Sequence, residues 1–117
     1  MLVTSRKAKQ AILTALADEE MVKILDCVME KPMSVNEIMR EKKIPYTTTY
    51  RKTKWLLDEG LLVVSKIDIT PDGKKSSLVH TVLKSITVKY VQHDISVEAD
   101  QNVDVVRKVM EKFFSVE

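Results

Sequence analysis

The stretch "IPYTTTYRKTKWLLDEGLL", residues 44–62, decides how the rest of the chain is interpreted. Pro45 presets φ for a first helical turn, and Gly60 suits the left-handed position that ends many helices. A helix is therefore predicted from about Tyr46 to Glu59. Three consecutive threonines are an unexpected choice for its first turns, because β-branched side chains lose rotamer freedom in a helix. We infer that a requirement other than helix stability selected some of them.

Helical periodicity divides this segment into two faces. Residues spaced three and four apart lie on the same side of a helix. The side expected to face the core comprises Thr49, Thr53, Leu56 and Leu57. The side expected to face outward comprises Tyr46, Thr47, Tyr50, Arg51 and Lys54. Thr48 lies between the two faces.

Three further helices are predicted before this segment. "SRKAKQAILTALAD" has the amphipathic spacing of a short helix, and Asp18 is placed to cap a second one that ends before Pro32. Ser34 and Glu37 form an S-x-x-E capping box, in which each side chain satisfies the other residue's backbone amide. The third helix that starts there is expected to stop near residues 42–43.

After Leu61 the hydrophobic period changes from 3.6 to 2, which indicates strands. "LLVVSKIDIT" and the long run "SSLVHTVLKSITVKYV" flank the turn "PDGKK", where Gly73 can adopt a positive φ. "DISVEA" predicts a further short strand, and a final helix is predicted behind Asp100 as N-cap. The expected order is α-α-α-α-β-β-(β)-α, an α+β fold.

The third and fourth helices, joined by a short turn, form a helix-turn-helix arrangement whose second helix can enter a DNA major groove. A hairpin with a basic tip follows it directly. Over about residues 17–91 the sequence resembles the winged helix-turn-helix family, in particular small arsenic-repressor-like regulators and related archaeal groups. "SVNEIM", the Thr48, Tyr50, Arg51 and "EGLL" spacing, and the wing "SKIDITPDGKKSSLVHTV" carry the resemblance. It implies a winged helix-turn-helix fold, sequence-specific binding of double-stranded DNA and a role in transcription regulation.

The outward residues have the chemistry that DNA recognition needs. Arginine can donate two hydrogen bonds to a guanine edge, threonine offers a hydroxyl and a methyl group, and tyrosine and lysine reach phosphates. In the wing, basic side chains can approach the backbone or the minor groove. The predicted DNA-binding set is Tyr46, Thr47, Thr48, Tyr50, Arg51, Lys54, Lys66, Lys74 and Lys75. The alternative is a solvated helix face and a hairpin whose lysines only keep its edge soluble.

The C-terminal segment carries an apolar stripe that follows the winged domain instead of completing its core. We expect it to pair with a second copy and form a homodimer, which would present two recognition helices to one duplex. The alternative is that it folds back on its own domain. The predicted dimerisation residues are Val103, Val106, Val109, Met110, Phe113 and Phe114. The expected division is a DNA-binding domain at 1–92 and a strand with a dimerisation helix at 93–117.

Charge is distributed unevenly along a chain whose net charge is only +2. Between residues 42 and 76 there are eight Lys or Arg against four acids, whereas from residue 93 onward there are six acids and three bases. Phosphate binding is therefore expected from the middle of the chain, and the acidic end is expected to lie away from DNA.

Several other classes of function have no support in the sequence. Cys27, His80 and His93 are scattered singly, so no metal site is predicted. Neither a phosphate-binding glycine loop nor a nucleophile with a nearby base is recognisable, so we expect neither a cofactor nor an enzyme. The longest uncharged apolar run, at 61–64, is far shorter than the roughly 18 to 20 residues of a membrane span. With no secretory signal at the start, a cytoplasmic protein is expected.

Two alternatives to a simple regulator stay open at this stage. A winged helix can also act as a protein–protein adaptor in a transcription-related assembly, since fold alone does not decide function. A regulator can also sense an effector at the dimer seam, and the sequence does not identify such a ligand.

Overall fold

The computed structural model describes residues 1–103, 105 and 107. Its helices are α1 (Arg6–Ala17), α2 (Glu19–Cys27), α3 (Val35–Lys42) and α4 (Tyr46–Asp58). Its strands are β1 (Leu62–Ile69), β2 (Lys75–Thr81), β3 (Leu83–Val91) and β4 (Asp94–Gln101). The strands form two separate antiparallel hairpins, β1–β2 and β3–β4.

Side-chain caps fix where the second and third helices begin. The carboxylate of Asp18 accepts a hydrogen bond from the Met21 amide at 3.0 Å, which confirms the predicted N-cap of α2. The Ser34 hydroxyl accepts from the Glu37 amide at 3.2 Å, and the Glu37 carboxylate accepts from the Ser34 amide at 3.0 Å. The predicted capping box of α3 is therefore confirmed.

A short connection turns the chain from α3 into α4. Lys43 adopts the left-handed conformation, with φ of 55°, and Ile44 is buried behind it. Pro45 then occupies the N-cap position of α4. Gly60, with φ of 80°, follows the end of the helix as predicted, because the left-handed region costs glycine little.

The first hairpin is the wing. It pairs β1 with β2 from Leu62 opposite Thr81 to Ile69 opposite Lys75. Met33, in the connection between α2 and α3, exchanges two backbone hydrogen bonds with Val79 at 3.1 and 2.8 Å. This contact fastens the base of the wing to the helices. The predicted α+β fold, a winged helix-turn-helix, is confirmed by this arrangement.

The second hairpin departs from the predicted strand pattern. The run at 76–91, predicted as one strand, is divided at Val82, whose amide donates to Leu61 O at 3.0 Å and whose carbonyl accepts from Asn102 N at 2.7 Å. β2 therefore ends in the wing, and β3 starts a hairpin with β4. The boundary expected between residues 92 and 93 falls in the turn that joins these two paired strands.

The predicted N-cap role of Asp100 is wrong. Asp100 lies in β4 opposite Ser85, and its carboxylate accepts a hydrogen bond from the Ser85 hydroxyl at 2.9 Å. The strand ladder thus includes a residue that local sequence assigns to a helix start. Beyond it, Val103 is 68% exposed and Val105 is 1% exposed. The remaining predicted dimerisation residues, Val106, Val109, Met110, Phe113 and Phe114, lie outside the described residues.

One core joins the helices to the bases of both hairpins. Its fully buried side chains include Ile24, Ile38, Leu56, Leu62 and Val97.

Cys27 belongs to this core. Its Sγ lies 3.3 Å from Met33 Sδ, and burial raises the pKa of its thiol. Cys27 therefore acts as a small buried hydrophobic residue of the core.

Candidate nucleic-acid interface

Helix α4 has the two faces that its sequence predicts. Thr49, Thr53 and Leu56 are buried, and Leu57 packs partly buried against the core. All five residues predicted to face outward are exposed, and Thr48 is half-buried between the faces. The helix therefore presents Tyr46, Thr47, Tyr50, Arg51 and Lys54 on one continuous surface, which we call the α4 face.

Two tyrosines order the first half of the α4 face. The rings of Tyr46 and Tyr50 stack with centroids 6.2 Å apart and an interplanar angle of 24°. Each side chain is about half exposed, at 50% and 52%. Their spacing of four residues is the signal that predicts such a contact on a helix. The stack holds both hydroxyl-bearing rings in place on the outer surface.

The cationic side chains Arg51 and Lys54 of α4 differ in whether they form an ion pair with a described residue. Arg51 forms no ion pair or hydrogen bond with any described residue, so its guanidinium keeps all its donors available. Lys54 Nζ lies 3.4 Å from Asp58 Oδ2, an exposed pair one helical turn apart. Such surface pairs contribute little and break readily when a stronger anion arrives.

Lys52 points away from the α4 face and ties the helix to α2. Its Nζ lies 2.7 Å from Asp18 Oδ2 and 2.8 Å from Glu20 Oε1. Hydrogen bonds to these two carboxylates raise the pKa of Lys52, and the hydrogen bond from Lys52 is the main cause that lowers the pKa of Asp18. Asp18 thus caps α2 and anchors α4. Sequence reasoning missed this contact because the partners lie 34 residues apart and no local pattern links them.

The N-terminal end of α4 leaves its first amides open. Pro45 has no side-chain hydrogen bond to offer, and no other side chain in the described part of the chain caps the helix. The Thr49 hydroxyl donates to Pro45 O at 3.0 Å, so it bonds a backbone carbonyl and does not cap the first amides. The amides of Tyr46, Thr47 and Thr48 therefore lack intrahelical acceptors, as in any first turn. Free amides and the helix dipole favour an anion there.

A hydrogen-bonded turn orders the tip of the wing. Thr70 and Lys74 are joined by a 2.8 Å backbone hydrogen bond, and Gly73 adopts φ of 84° between them. The Thr70 hydroxyl donates to the Asp72 carboxylate, and this hydrogen bond lowers the pKa of Asp72. The turn therefore has a fixed shape.

The three predicted wing lysines are all exposed. Lys66 Nζ lies 3.5 Å from Asp68 Oδ1, whereas the ammonium groups of Lys74 and Lys75 form no ion pair with the described residues. Lys74 and Lys75 also line a cleft together with Asn36 of α3. Sequence reasoning did not place Asn36 next to the wing, because the two segments meet only in the folded chain.

The described residues show neither of two other kinds of site. They contain no group of three or more His, Cys, Asp or Glu side chains that could hold a metal ion. His80 is buried, with Nε2 3.2 Å from Met29 O, and His93 lies in the β3–β4 turn. No helix in the described part of the chain is long and apolar enough to cross a membrane.

Comparisons with known proteins add little to this description. HlyU from Vibrio cholerae N16961 is 12% identical, with 93% of this chain and 94% of that chain covered and a TM-score of 0.44. NolR from Sinorhizobium fredii is 11% identical, with both chains fully covered and the same TM-score. No family model and no curated protein matches the sequence. The fold assignment therefore rests on the topology and the caps described above.

Proposed function

We propose that this protein is a sequence-specific, double-stranded-DNA-binding transcriptional regulator. The observation that carries the proposal is the α4 face, where the Arg51 guanidinium donates to none of the described residues and lies beside an ordered tyrosine pair. A purely solvated helix has no need for two half-exposed tyrosines at that position. The winged helix-turn-helix frame supplies the second helix that such proteins insert into a groove.

In this proposal the recognition helix, about 46–59, enters the major groove. Arg51 reads a base edge, Thr47 contacts a thymine methyl or a phosphate, and Tyr46, Tyr50 and Lys54 reach the backbone. Thr48 and the open amides of the first turn bind a phosphate. The ion pairs of Lys52 with Asp18 and Glu20 hold α4 against α2 and already neutralise the charge of Lys52.

The wing, about 66–78, is proposed to follow the backbone or the minor groove. Lys66, Lys74 and Lys75 supply the charge, and the hydrogen-bonded turn limits the conformational freedom that is lost on binding. These contacts position the protein without reading sequence.

The salt dependence of binding to random duplex DNA tests this function. Each neutralised phosphate contributes about 0.9 to the slope of log K against log salt, so Lys74→Ala with Lys75→Ala should reduce that slope by about 2. The matched control replaces Lys7 and Lys23, two exposed lysines on α1 and α2, and should leave the slope unchanged. A protein that binds no duplex DNA at low salt would contradict the proposal and favour the adaptor.

We also infer that the regulator is a homodimer. Val103, at the start of the apolar C-terminal stripe, is exposed in the single chain. Exposure of an apolar side chain there is consistent with burial against a second copy. Two-fold symmetry would match two recognition helices to two half-sites.

A further inference from the structure

Strand β3 has one edge that is not paired with the described chain. Gln92 and His93 both have positive φ, at 45° and 71°, which makes the β3–β4 connection a two-residue turn. In the ladder, Ile86 lies opposite Ala99, Val88 opposite Val97, and Tyr90 opposite Ile95.

Hydrogen bonds on the far side of β4 fix which way these pairs point. Val97 O accepts from Val3 N at 2.8 Å, and Ala99 N donates to Met1 O at 2.9 Å. The backbone groups of these β4 residues therefore point away from β3. Residues directly opposite in an antiparallel pair either both face each other or both face away. The backbone groups of Ile86, Val88 and Tyr90 therefore point outward along β3, and we call this row the open edge.

Each neighbouring edge is covered or disrupted. The outer edge of β4 is covered by residues 1–3 and by Lys9, whose Nζ donates to Ile95 O at 3.0 Å. In the wing, β2 is bridged by Met33, and β1 carries a bulge between Val64 and Lys66. Bulges and charges are the usual protection of an exposed strand. Strand β3 has a register shift between Leu83 and Ser85, but its pairing is regular from Ser85 to Val91. Lys89 is the one charged residue between Ile86 and Tyr90.

The side chains of the open edge are apolar and become more exposed toward the turn. Ile86 packs partly buried against the core, Val88 is 42% exposed and Tyr90 is 66% exposed. Their cross-strand neighbour Ile95 is 38% exposed. The inner face of the hairpin therefore extends beyond the domain that it packs against.

We propose that the open edge pairs antiparallel with the same edge of a second copy, so that one continuous sheet crosses the dimer. This proposal specifies the surface of the homodimer inferred above and rests on it. With Val88 of one copy opposite Val88 of the other, Ile86 lies opposite Tyr90, and all three outward residues find backbone partners. The apolar face continues across the two-fold axis, and Lys89 lies opposite Thr87. A shift that centres the axis on Lys89 would place two ammonium groups directly opposite each other.

In this register, a cavity next to Ile86 of one copy accommodates the exposed Tyr90 ring of the other. It has a volume of about 170 Å³ and a mostly apolar lining that includes Ile12, Leu16, Leu25 and Ile86, with Asp26 and Lys84 also among the lining residues. An apolar cavity of roughly 150 Å³ is large enough for a benzene ring. Pairing brings Tyr90 of one copy next to Ile86 of the other, which is one of the residues that line this cavity. Among the described residues the Tyr90 ring is exposed and the cavity is open, and this pairing covers both.

Cysteine cross-linking of the full chain tests the register. Cys27 is buried, so Val88→Cys adds a single accessible thiol. Opposite residues of paired strands have Cα atoms about 5.5 Å apart, within disulfide range. Under mild oxidation, Val88→Cys should form a covalent dimer. The matched control is Val91→Cys, at a position that is 50% exposed against 42% for Val88. In this register Val91 would lie opposite Ser85, far from its own copy, so the variant should stay uncross-linked. Equal cross-linking of both variants, or of neither, would overturn the register.

Sedimentation of surface variants separates this interface from the C-terminal stripe. Val88→Lys places two ammonium groups across the axis and should raise the dimer dissociation constant by about tenfold or more, whereas Val88→Thr should not. If Val88→Lys stays dimeric while Phe113→Lys becomes monomeric, the open edge is not the interface. DNA binding is measured separately: the Val88→Lys monomer should still bind a single half-site, and its failure to do so would count against the proposed function instead.

Discussion

The two hairpins of this protein are built alike at their bases and differently at their tips. Leu62 and Val79 of the wing are buried in the core, and so are Val97 and Ala99 of the second hairpin. Toward the tips both hairpins expose apolar side chains, Ile67 and Ile69 in the wing and Val88 and Tyr90 in the second hairpin. The wing adds Lys74 and Lys75 at a hydrogen-bonded turn.

This difference shows how one local motif can serve two kinds of partner. A turn that presents two lysines in an ordered conformation suits a phosphate backbone, because its positive charges attract phosphates and little conformational freedom is lost on binding. An apolar edge with free backbone groups suits another protein strand, because both its side chains and its hydrogen bonds gain from pairing. The shared base fixes both tips to the same helices.

Truncating a buried side chain at the base of the wing should have the largest effect on stability. Leu62→Ala should lower the free energy of unfolding by about 2 to 5 kcal/mol, because it leaves a cavity where the wing meets the core. Ile67→Ala, toward the exposed tip of the same strand, is the matched control and should change it by about 0.5 kcal/mol or less. Urea unfolding measures both. Equal costs would show that the tip of the wing is as firmly packed as its base.

Removing the ion pairs of Lys52 with Asp18 and Glu20, which we call the Lys52 anchor, should lower the free energy of unfolding by a smaller amount that depends on pH. Lys52→Met should cost about 2 kcal/mol near neutral pH, between the values for exposed and buried ion pairs. The pKa of Asp18 is lowered from 3.8 and that of Lys52 raised from 10.5. The Lys52 ion pairs should therefore contribute fully to the free energy of unfolding between these two pH values. This contribution should be lost as pH falls through the lowered pKa of Asp18 or rises through the raised pKa of Lys52.

Urea unfolding of wild type and variant across this pH range provides the measurement. Lys54→Met, which removes the exposed pair with Asp58, is the control and should have little effect at any pH. A Lys52→Met difference that persisted unchanged in strong acid would show that packing of the lysine stem, not the ion pair, anchors α4.

The sequence was informative wherever local chemistry decided the structure. Asp18, the Ser34 and Glu37 box, and Gly60 all lie where their caps were predicted, because capping depends on residues only a few positions apart. The two faces of α4 follow from helical spacing alone. The residues of the candidate site could therefore be predicted from the sequence, whereas the tertiary contacts around them could not.

Long-range contacts account for what the sequence did not reveal. Val82 separates two strands because its backbone bonds to Leu61 and Asn102, and nothing in its own neighbourhood marks that break. Asp100 suits a helix cap as well as a strand, and pairing with Ser85 decided between them. The Lys52 anchor depends on helix packing in the same way. In each case the deciding partner is distant in sequence.

The most direct test of the central claim is the affinity of wild type and Arg51→Ala for a duplex selected from genomic fragments by the purified protein. Arg51→Ala should lose about 1 to 3 kcal/mol at the selected site and discriminate less at one base pair, with unchanged stability. Lys23→Ala, an exposed change on α2, provides the control. If Arg51→Ala bound the selected site with wild-type affinity and preference, the α4 face would not be the surface that reads DNA.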